Sequence, residues 1–410
     1  MSGRSLLHHQ VWLKCLYKLR LKNLWGIYLH ACFRNLGMSL IGIFIPIYVY
    51  QLTGSFLWVF LFYLIYHASD VLTAPLAGWF MRRFGVDKTA IVGTFLRVLF
   101  LYLMILAKDQ PDLLNPAAII WGMTIPFAWL PYHYTIVAEE EKYGKFGSAV
   151  AKIAIIEKIT AALAPFIGGL IIYFSGFKAL YGVGLMIVVI SLIPMLIDSF
   201  DRRGMRFDFD KVITEIFNPK LWPITLSLAG SSLEEKVYNV LRPLIMYVGL
   251  ITVAQLGGIE SISTILSLII TWWAGQWVDK KGFGIMKIGV AVNALGLLLF
   301  PFLHQGWAFL IFNSIYLIVS VLVWTPFNTA IYEYACKNRR LEFFVAREII
   351  LNSAAALFCA LLFLGFWQHF SWQVLFGIGS LGLIMCLAII KGVSHAQSEY
   401  KFKVNPATSG

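Results

Sequence analysis

Apolar runs long enough to cross a lipid bilayer recur along almost the whole of this chain. A bilayer offers the backbone no hydrogen-bonding partners, so a crossing segment must be a helix or part of a closed barrel. Barrel strands alternate in polarity, whereas these runs are continuously apolar. The sequence therefore predicts an all-α membrane protein. We place its twelve transmembrane helices at residues 24–50, 55–81, 88–107, 114–137, 148–174, 178–197, 221–249, 253–278, 284–303, 306–334, 343–369 and 372–391.

The charged residues indicate both the class of protein and its orientation. They make up 13% of the chain, about half of the share that is usual in soluble domains. The net charge of +12 comes almost entirely from one side of the predicted membrane, because the loops on the other side hold only Lys108 and Lys178 as basic residues. Loops rich in Lys and Arg stay in the cytoplasm. Both termini are therefore expected inside the cell, and no nucleic-acid partner is needed to explain the charge.

The longest polar break, residues 198–220, divides the chain into two predicted six-helix bundles, 23–197 and 221–391. We interpret this break as a cytoplasmic linker and residues 392–410 as a cytoplasmic tail. Residues 1–22 form a basic segment without acidic residues. Two interpretations of that segment stay open: an amphipathic helix lying on anionic lipid, or a solvated tail that only sets the orientation.

The two bundles resemble each other at a nearly constant sequence offset. Matched positions follow one another in order along both bundles, which is stronger evidence for a repeat than any single match. Two parallel six-helix repeats are an architecture of alternating-access transporters, which bind their substrate between the halves near the bilayer midplane. The matched pairs are Trp25 and Trp222, Pro46 and Pro243, Gly78 and Gly275, Gly85 and Gly282, and Pro126 and Pro326.

Two loops at matching places of the repeat carry similar motifs. GWFMRRFGVDK follows the second helix, and GQWVDKKGFG follows the eighth. Both resemble the GxxxDRxGRR loop of the major facilitator superfamily. The second copy keeps Gly275, Asp279, Lys280 and Gly282. The first copy keeps Gly78, Arg83 and Gly85 but has Arg82 where the family has Asp.

This resemblance implies two six-helix repeats of the major facilitator type and a latch that holds the inner gate shut. Asp279 is the residue that the resemblance assigns to the latch. Because Arg82 departs from the pattern, the latch of the first half is in question, and Asp87 is a possible substitute. The alternative is that these are ordinary loop charges that only set the topology.

A second motif lies in the fifth predicted helix. Pro165, Gly168 and Gly169 resemble the end of the GPxxGG motif of antiporters in the same superfamily, although the upstream glycines are missing. Small residues let helices approach closely whatever the coupling mode. We interpret this segment as a helix-packing motif.

Ionisable residues inside the predicted helices carry the functional hypothesis. Each is costly in lipid, so each is expected to face a cavity or a partner. An Arg34–Asp70 or Arg97–Asp70 pair would satisfy these charges and provide a proton-exchanging site, with histidines as relays. Fixed ion pairs that only position helices are the alternative. The candidates of the first half are His30, Arg34, His67, Asp70, Arg97 and Glu157, with His133 as a further relay.

The seventh predicted helix carries Glu234, Glu235 and Lys236 in succession at its middle. Neighbouring residues on a helix point about 100° apart, so at most two of them share a face. We expect Glu234 and Tyr238 to line the cavity together. We expect Glu235 to pair across helices with Arg347 rather than with its chain neighbour. Lys152, Arg347 and Glu348 lie near helix ends and can extend toward the interface.

These observations favour a secondary active transporter that moves a small solute by alternating access, with coupling to protons as the expected driving force. A uniporter or organic-anion carrier, or a non-transporting sensor with the same fold, is the alternative. No nucleotide-binding motif, metal-ligand spacing or catalytic signature was found in the sequence, so neither a cofactor, a bound metal nor an enzymatic activity is expected. We expect a monomer in a bacterial plasma membrane, with the solute, protons and lipid as its partners. The sequence does not identify the substrate.

Overall fold

The computed structural model describes residues 25–140, 155, 158–159, 162–197, 206–249, 251–337 and 340–392. Within these ranges the chain forms helices and no strands. Ten stretches of the described residues are long and apolar enough to cross a membrane. The α-helices are α1 (Trp25–Ile41), α2 (Ile45–Thr53), α3 (Phe56–Phe84), α4 (Val86–Leu106), α5 (Leu114–Glu140), α6 (Ala164–Ile190), α7 (Leu192–Ile197), α8 (Phe209–Ile216), α9 (Trp222–Lys236), α10 (Arg242–Gly249), α11 (Val253–Lys281), α12 (Ile285–Leu299), α13 (Gly306–Lys337), α14 (Arg340–Trp367) and α15 (Trp372–Cys386).

The predicted fold class, an all-α membrane protein built from two helical repeats, is confirmed. Only part of the fifth predicted helix lies within the described residues. The predicted fifth and sixth helices meet at Gly176, whose φ of 78° interrupts α6. Only glycine adopts such a φ readily. The charged residues of the seventh predicted helix make it more polar than the other spans.

The first helix of each half is broken just before a proline. In the N-terminal half (residues 25–197), the 3₁₀ turn Gly42–Phe44 separates α1 from α2, which begins with Pro46 near its first position. In the C-terminal half (residues 221–392), the π-helical turn Val237–Leu241 separates α9 from α10, which contains Pro243. A proline lacks the N–H that an uninterrupted helix needs and clashes with the preceding turn. The two matched prolines of the repeat therefore mark matched helix breaks.

Two helix pairs form the seams between the halves. α3 packs along α14, and α6 packs along α11. The outward surface is strongly apolar: Leu72, Phe174 and Ile269 each expose about three quarters of their surface. A soluble protein would not leave so many large apolar side chains in water. This surface suits the lipid of a bilayer, and the protein is an integral, multi-pass membrane protein.

Glycines allow several helices to touch backbone to backbone. A methyl group added to Gly122 of α5 would collide with the Tyr66 carbonyl oxygen of α3. A methyl group on Gly257 of α11 would collide in the same way with the carbonyl of Pro165 in α6. Glycine contacts of this kind replace side-chain interdigitation in closely packed membrane helices.

We predict that Gly122→Ala lowers the stability of the protein by about 1–3 kcal/mol or more, because the added methyl group meets rigid backbone. Gly182→Ala is the matched control, since a methyl group there meets no atom within 4 Å. Alanine also has the higher helix propensity, so the control is expected to be neutral or slightly stabilising. Thermal unfolding in detergent measures both variants. Equal melting temperatures for the two would contradict the close α3–α5 contact.

Candidate functional site

A cavity of about 330 Å³ lies between the two halves. Helices α3 and α5 supply its N-terminal wall, and α9, α13 and α14 supply its C-terminal wall. The lining residues of the N-terminal half are Tyr66, His67, Ile125, Trp129, Tyr132 and His133. The lining residues of the C-terminal half are Ser232, Glu235, Lys236, Asn328, Tyr332, Arg347, Glu348, Leu351 and Asn352.

The two walls differ in chemistry. The N-terminal half contributes aromatic and imidazole rings with one aliphatic side chain, whereas the acids and the Lys and Arg side chains of the lining come from the C-terminal half. A stack of rings supports the aromatic wall from behind. Tyr66 stacks on Trp121 with ring centroids 4.2 Å apart, and Trp121 stacks on Phe100 at 5.0 Å. Such a stack fixes the orientation of the Tyr66 ring.

The charges of the C-terminal wall form two ion pairs, each between consecutive residues. Lys236 Nζ lies 3.0 Å from Glu235 Oε1, and Arg347 Nη1 lies 2.5 Å from Glu348 Oε1. The predicted Glu235–Arg347 pair is therefore wrong. The long lysine stem can bend back to the neighbouring carboxylate, which the angle between helix positions does not prevent. Arg347 and Glu348 line the cavity instead of extending to the interface. The sequence does carry a signal for this position of Glu348. It lies four residues before Asn352, a spacing that puts the two side chains on the same face of a helix.

His67 and Asn352 connect the two halves at the cavity. His67 Nδ1 lies 2.7 Å from the Asn352 side-chain oxygen, and Asn352 Nδ2 donates to the Glu348 carbonyl at 3.0 Å. The asparagine oxygen is thus the acceptor, which assigns the proton of the ring to Nδ1. Nε2 of His67 then carries a lone pair, and it has no hydrogen-bonding partner among the described residues.

Asp70 lies on the α3–α14 seam, one helical turn from His67, and is fully buried. Neither of its carboxylate oxygens has a hydrogen-bonding partner in the described part of the chain. The charges that act most strongly on it belong to Glu348, Lys236 and Arg347, all in the C-terminal half. A buried carboxylate without hydrogen bonds is unusual, because an ionised group in such a site is costly.

The arginines of the N-terminal half do not pair with Asp70, so both predicted pairs are wrong. Arg34 donates to the Ala128 carbonyl at 3.3 Å, and its guanidinium lies 4.9 Å from the Trp129 ring and 5.5 Å from the Tyr132 ring. Arg97 is buried, and its Nε has no hydrogen bond within the described ranges. The helices turn Asp70 toward the other half, whereas both arginines stay within their own half.

The predicted histidine and glutamate candidates of the first half have different positions. His30 does not line the cavity: its Nδ1 lies 2.9 Å from the Ser191 carbonyl oxygen. His133 reaches across the halves, with Nδ1 2.9 Å from the Tyr332 hydroxyl. Glu157 and Lys152 lie outside the described residues.

A second polar network lies inside the C-terminal half, around the π-helical turn. Arg242 Nη1 donates to Glu260 at 2.8 Å and to Asn313 at 2.6 Å, and the Tyr238 hydroxyl donates to Glu260 at 3.1 Å. The Tyr238 ring stacks on Tyr316 at 4.9 Å, and the Tyr316 hydroxyl donates to Glu234. Glu234 and Tyr238 thus belong to this network, and the prediction that they line the cavity together is wrong. π-helical turns frequently mark functional sites.

The described part of the interdomain linker, residues 206–220, packs against one end of the bundle, which we call the linker end. Phe207 is buried, and its ring would lie 2.8 Å from a methyl group placed on Gly78 of α3. Val345 of α14 is equally close to that position. Arg82 Nη1 donates to the Phe207 carbonyl at 2.9 Å. The linker ring therefore fills the space where α3 and α14 meet, and Gly78 leaves room for it.

The structure describes several other residues of the two predicted loop motifs. Gly85 has a φ of 93°, which explains the need for glycine at the end of α3. Arg83 and Lys280 are exposed, and Gly275 is buried. The side chain of Asp279 and the surroundings of Gly282 lie outside the described residues.

Contacts also join the halves at the opposite end, beyond the cavity. Gln51 Nε2 donates to the Tyr247 hydroxyl at 2.6 Å, and the Phe56 ring lies 5.2 Å from that of Phe366. On the other seam, Lys158 donates to Ser267 at 2.8 Å. The cavity therefore has contacts between the halves on both sides.

The predicted packing motif of α6 contacts helices of both halves. A methyl group on Gly168 would collide with the Leu40 carbonyl of α1. One on Gly169 would lie 2.8 Å from the Val253 carbonyl of α11. Pro165 touches Gly257 of α11. These contacts fit the packing role that the sequence predicts for Pro165, Gly168 and Gly169.

Among the described residues, no three His, Cys, Asp or Glu side chains are grouped as a metal site would require. Imidazole and carboxylate groups of the cavity are instead engaged with amide and cationic partners. His67 with Asn352 and Arg347 with Glu348 are examples.

Comparisons with known proteins extend this description. The family model of the Major Facilitator Superfamily matches residues 27–342. A Bacillus subtilis protein, "Uncharacterized protein YqgE", is 21% identical over an alignment of 390 residues, with coverage of 90% of this chain and 86% of that protein. The fold is similar to that of the human organic anion transporter MFSD10, with a TM-score of 0.64, 10% identity and coverage of 88% of this chain and 98% of that one. The fold is also similar to that of a bacterial homologue of the iron transporter ferroportin in an outward-facing state. The TM-score is 0.63 and the identity 15%, with coverage of 90% of this chain and 98% of that one.

Proposed function

Because the chain belongs to the major facilitator superfamily, a family of membrane transporters, we propose that it is a proton-coupled secondary transporter with a small solute as its substrate. The cavity between the halves is the proposed solute site, and Asp70 is the proposed proton site. One observation carries the proton coupling: a fully buried carboxylate on the seam between the halves has no hydrogen-bonding partner for either oxygen among the residues that the structure describes.

The position of Asp70 suits a coupling role because its surroundings change when the halves move. In the closed seam the charges that act most strongly on Asp70 come from the opposite half. When α3 and α14 separate, water reaches the carboxylate and those charges move away. An ionised carboxylate is costly to bury without hydrogen bonds, so burial of Asp70 should accompany proton uptake, and hydration should accompany proton release. Proton binding would thereby favour one of the two states.

The distribution of Lys and Arg supports the orientation of the proposed transporter. The linker end carries the basic loops, and we propose that it faces the cytoplasm. Phe207, Gly78 and Arg82 then form part of the inner gate, together with the Asp279 latch that the family resemblance implies. Gln51 and Tyr247 belong to the outer gate. We propose that the halves rock about the cavity and break one set of contacts at a time.

An organic-anion carrier without proton coupling is the second candidate. One observation favours it: the Arg34 guanidinium contacts the rings of Trp129 and Tyr132, which line the cavity. A positive charge behind an aromatic wall would attract an anionic solute.

Distances between spin labels at the two ends of the bundle test the proposal without a known substrate. One pair replaces Lys88 and Lys287 at the linker end, and the other replaces Gln110 and Gln305 at the opposite end; all four residues are exposed. Between mildly acidic and neutral pH we expect one distance to lengthen while the other shortens. Distances that do not respond to pH would contradict proton coupling. If both distances lengthen, or both shorten, the result would contradict alternating access.

A further inference from the structure

We infer that the cavity binds a solute with an ammonium and a carboxylate group at one end and an aromatic ring at the other, of amino-acid to dipeptide size. This substrate class rests on the proposed transport function. The cavity volume of about 330 Å³ lies at the small end of the range for small-molecule pockets, about 300–1,000 Å³. The class follows from the unequal chemistry of the two walls.

The charged wall favours a solute whose charges sum to zero. Its two ion pairs, Glu235 with Lys236 and Arg347 with Glu348, already balance each other. A solute with a single charge would leave an excess charge in a site of low dielectric, which is costly. A solute with both charges keeps the balance while it exchanges partners with the two pairs.

The most accessible charges of this wall have complementary roles. Half of the Glu235 side chain is exposed (52%), whereas its partner Lys236 is only 6% exposed, so Glu235 is the acid that an incoming ammonium group can reach. The Arg347 side chain is partly exposed and uses Nη1 for Glu348, whereas its buried Nε has no hydrogen bond within the described ranges and becomes available when the cavity opens. The Nε–Nη2 edge of a guanidinium binds a carboxylate through two parallel hydrogen bonds.

His67 adds a neutral acceptor to the same cavity. Its Nδ1–H donates to Asn352, and its buried, unpartnered Nε2 keeps a lone pair that can accept a hydrogen bond from an ammonium or hydroxyl group once the cavity opens to admit the solute. A purely anionic solute would have no N–H or O–H to offer it, and the acceptor would stay unsatisfied.

The opposite wall favours a ring. Tyr66, Trp129 and Tyr132 face the cavity, and the Tyr66 ring is fixed by its stack on Trp121. The His133 ring stacks on the Trp129 ring with centroids 5.4 Å apart and holds Trp129 in a similar way. Rigid aromatic walls bind a planar ring without losing side-chain freedom. A solute with its charges on one wall and its ring on the other would touch both halves and favour their closure around it.

Ligand-induced thermal stabilisation tests this inference with matched probes. L-phenylalanine carries both charges and the ring, phenethylamine lacks the carboxylate, 3-phenylpropionate lacks the ammonium, N-acetylphenylalaninamide lacks both charges, and glycine lacks the ring. We expect L-phenylalanine to bind at least about tenfold more tightly than each of the others, since each lacks a charge-assisted or aromatic contact.

Two variants assign the contacts. Glu235→Gln is expected to weaken L-phenylalanine and phenethylamine about tenfold without weakening 3-phenylpropionate. Arg347→Gln is expected to weaken L-phenylalanine and 3-phenylpropionate about tenfold without weakening phenethylamine. Asp112→Asn, at an exposed site remote from the cavity, is the control. Equal or tighter binding of a probe with one charge or none, or no stabilisation by L-phenylalanine, would overturn the inference. The spin-label distances need no ligand, so a wrong substrate class and a wrong transport mechanism are distinguishable.

Discussion

Replacing Asp70 with Asn is expected to abolish the pH response of both spin-label distances. One proton that binds to only one of two states changes their ratio by up to about tenfold per pH unit, which is about 1.4 kcal/mol. Low pH should favour the state in which Asp70 is buried, as it is in this structure, and high pH should favour the state in which it is hydrated. Asparagine has the same shape but does not titrate, so the ratio should no longer depend on pH.

The variant is expected to fold, because it replaces a buried carboxylate that makes no hydrogen bond with the described residues with a neutral group of equal size. Its melting temperature should equal or exceed that of the wild type, which separates loss of coupling from loss of structure. Asp70→Glu keeps a titratable group and should keep a pH response. A full pH response in Asp70→Asn would assign the proton site to another residue, and Glu348, the acid of the facing half that acts most strongly on Asp70, would be examined next.

Replacing Phe207 with Ala is expected to open the linker end. The Phe207 ring is buried where α3 meets α14, beside Gly78 and Val345. Truncation of a buried phenylalanine typically costs about 3–5 kcal/mol. Suppose that about 3 kcal/mol of this stabilises only the state that is closed at the linker end. The ratio of the open state to the closed state then rises roughly a hundredfold. The Lys88–Lys287 distance should lengthen accordingly at every pH.

Phe217→Ala provides the matched control, because Phe217 lies at the end of the same linker and is 77% exposed. It should leave both distances unchanged. If Phe207→Ala leaves them unchanged as well, the ring is not part of the gate.

The same measurement on Asp279→Ala tests the latch of the second loop motif, whose loss should also lengthen the Lys88–Lys287 distance.

The fold could be predicted because hydropathy and repetition are properties of the sequence itself. Continuous apolar runs require helices in a bilayer, and Gly176 lies in the gap left between the fifth and sixth predicted helices. The breaks at Gly42–Phe44 and Val237–Leu241 were not predicted. Pro46 and Pro243 had served only to align the repeats, although a proline also predicts an interruption of the preceding turn.

The site was predicted only in part, because side-chain pairing depends on how each helix is rotated and aligned with its neighbours. Asp70 lies on a seam facing the other half, but its arginine partners do not, since Arg34 and Arg97 face the interior of their own half. Glu235 lines the cavity, whereas Glu234 turns toward Tyr316. Phe207 could not have been found, because nothing in the linker sequence shows which helix seam its ring enters.

The polar network around the π-helical turn has a consequence for how the protein is made. A helix that carries Glu234, Glu235, Lys236 and Arg242 enters lipid poorly by itself, since a Lys, Arg or Asp at the centre of a membrane helix costs about 2.5–3.5 kcal/mol during insertion. The partners of Arg242, Glu260 on α11 and Asn313 on α13, are synthesised later. During biogenesis this segment must therefore stay with the insertion machinery until those two helices emerge, which makes membrane insertion of the C-terminal half a collective step.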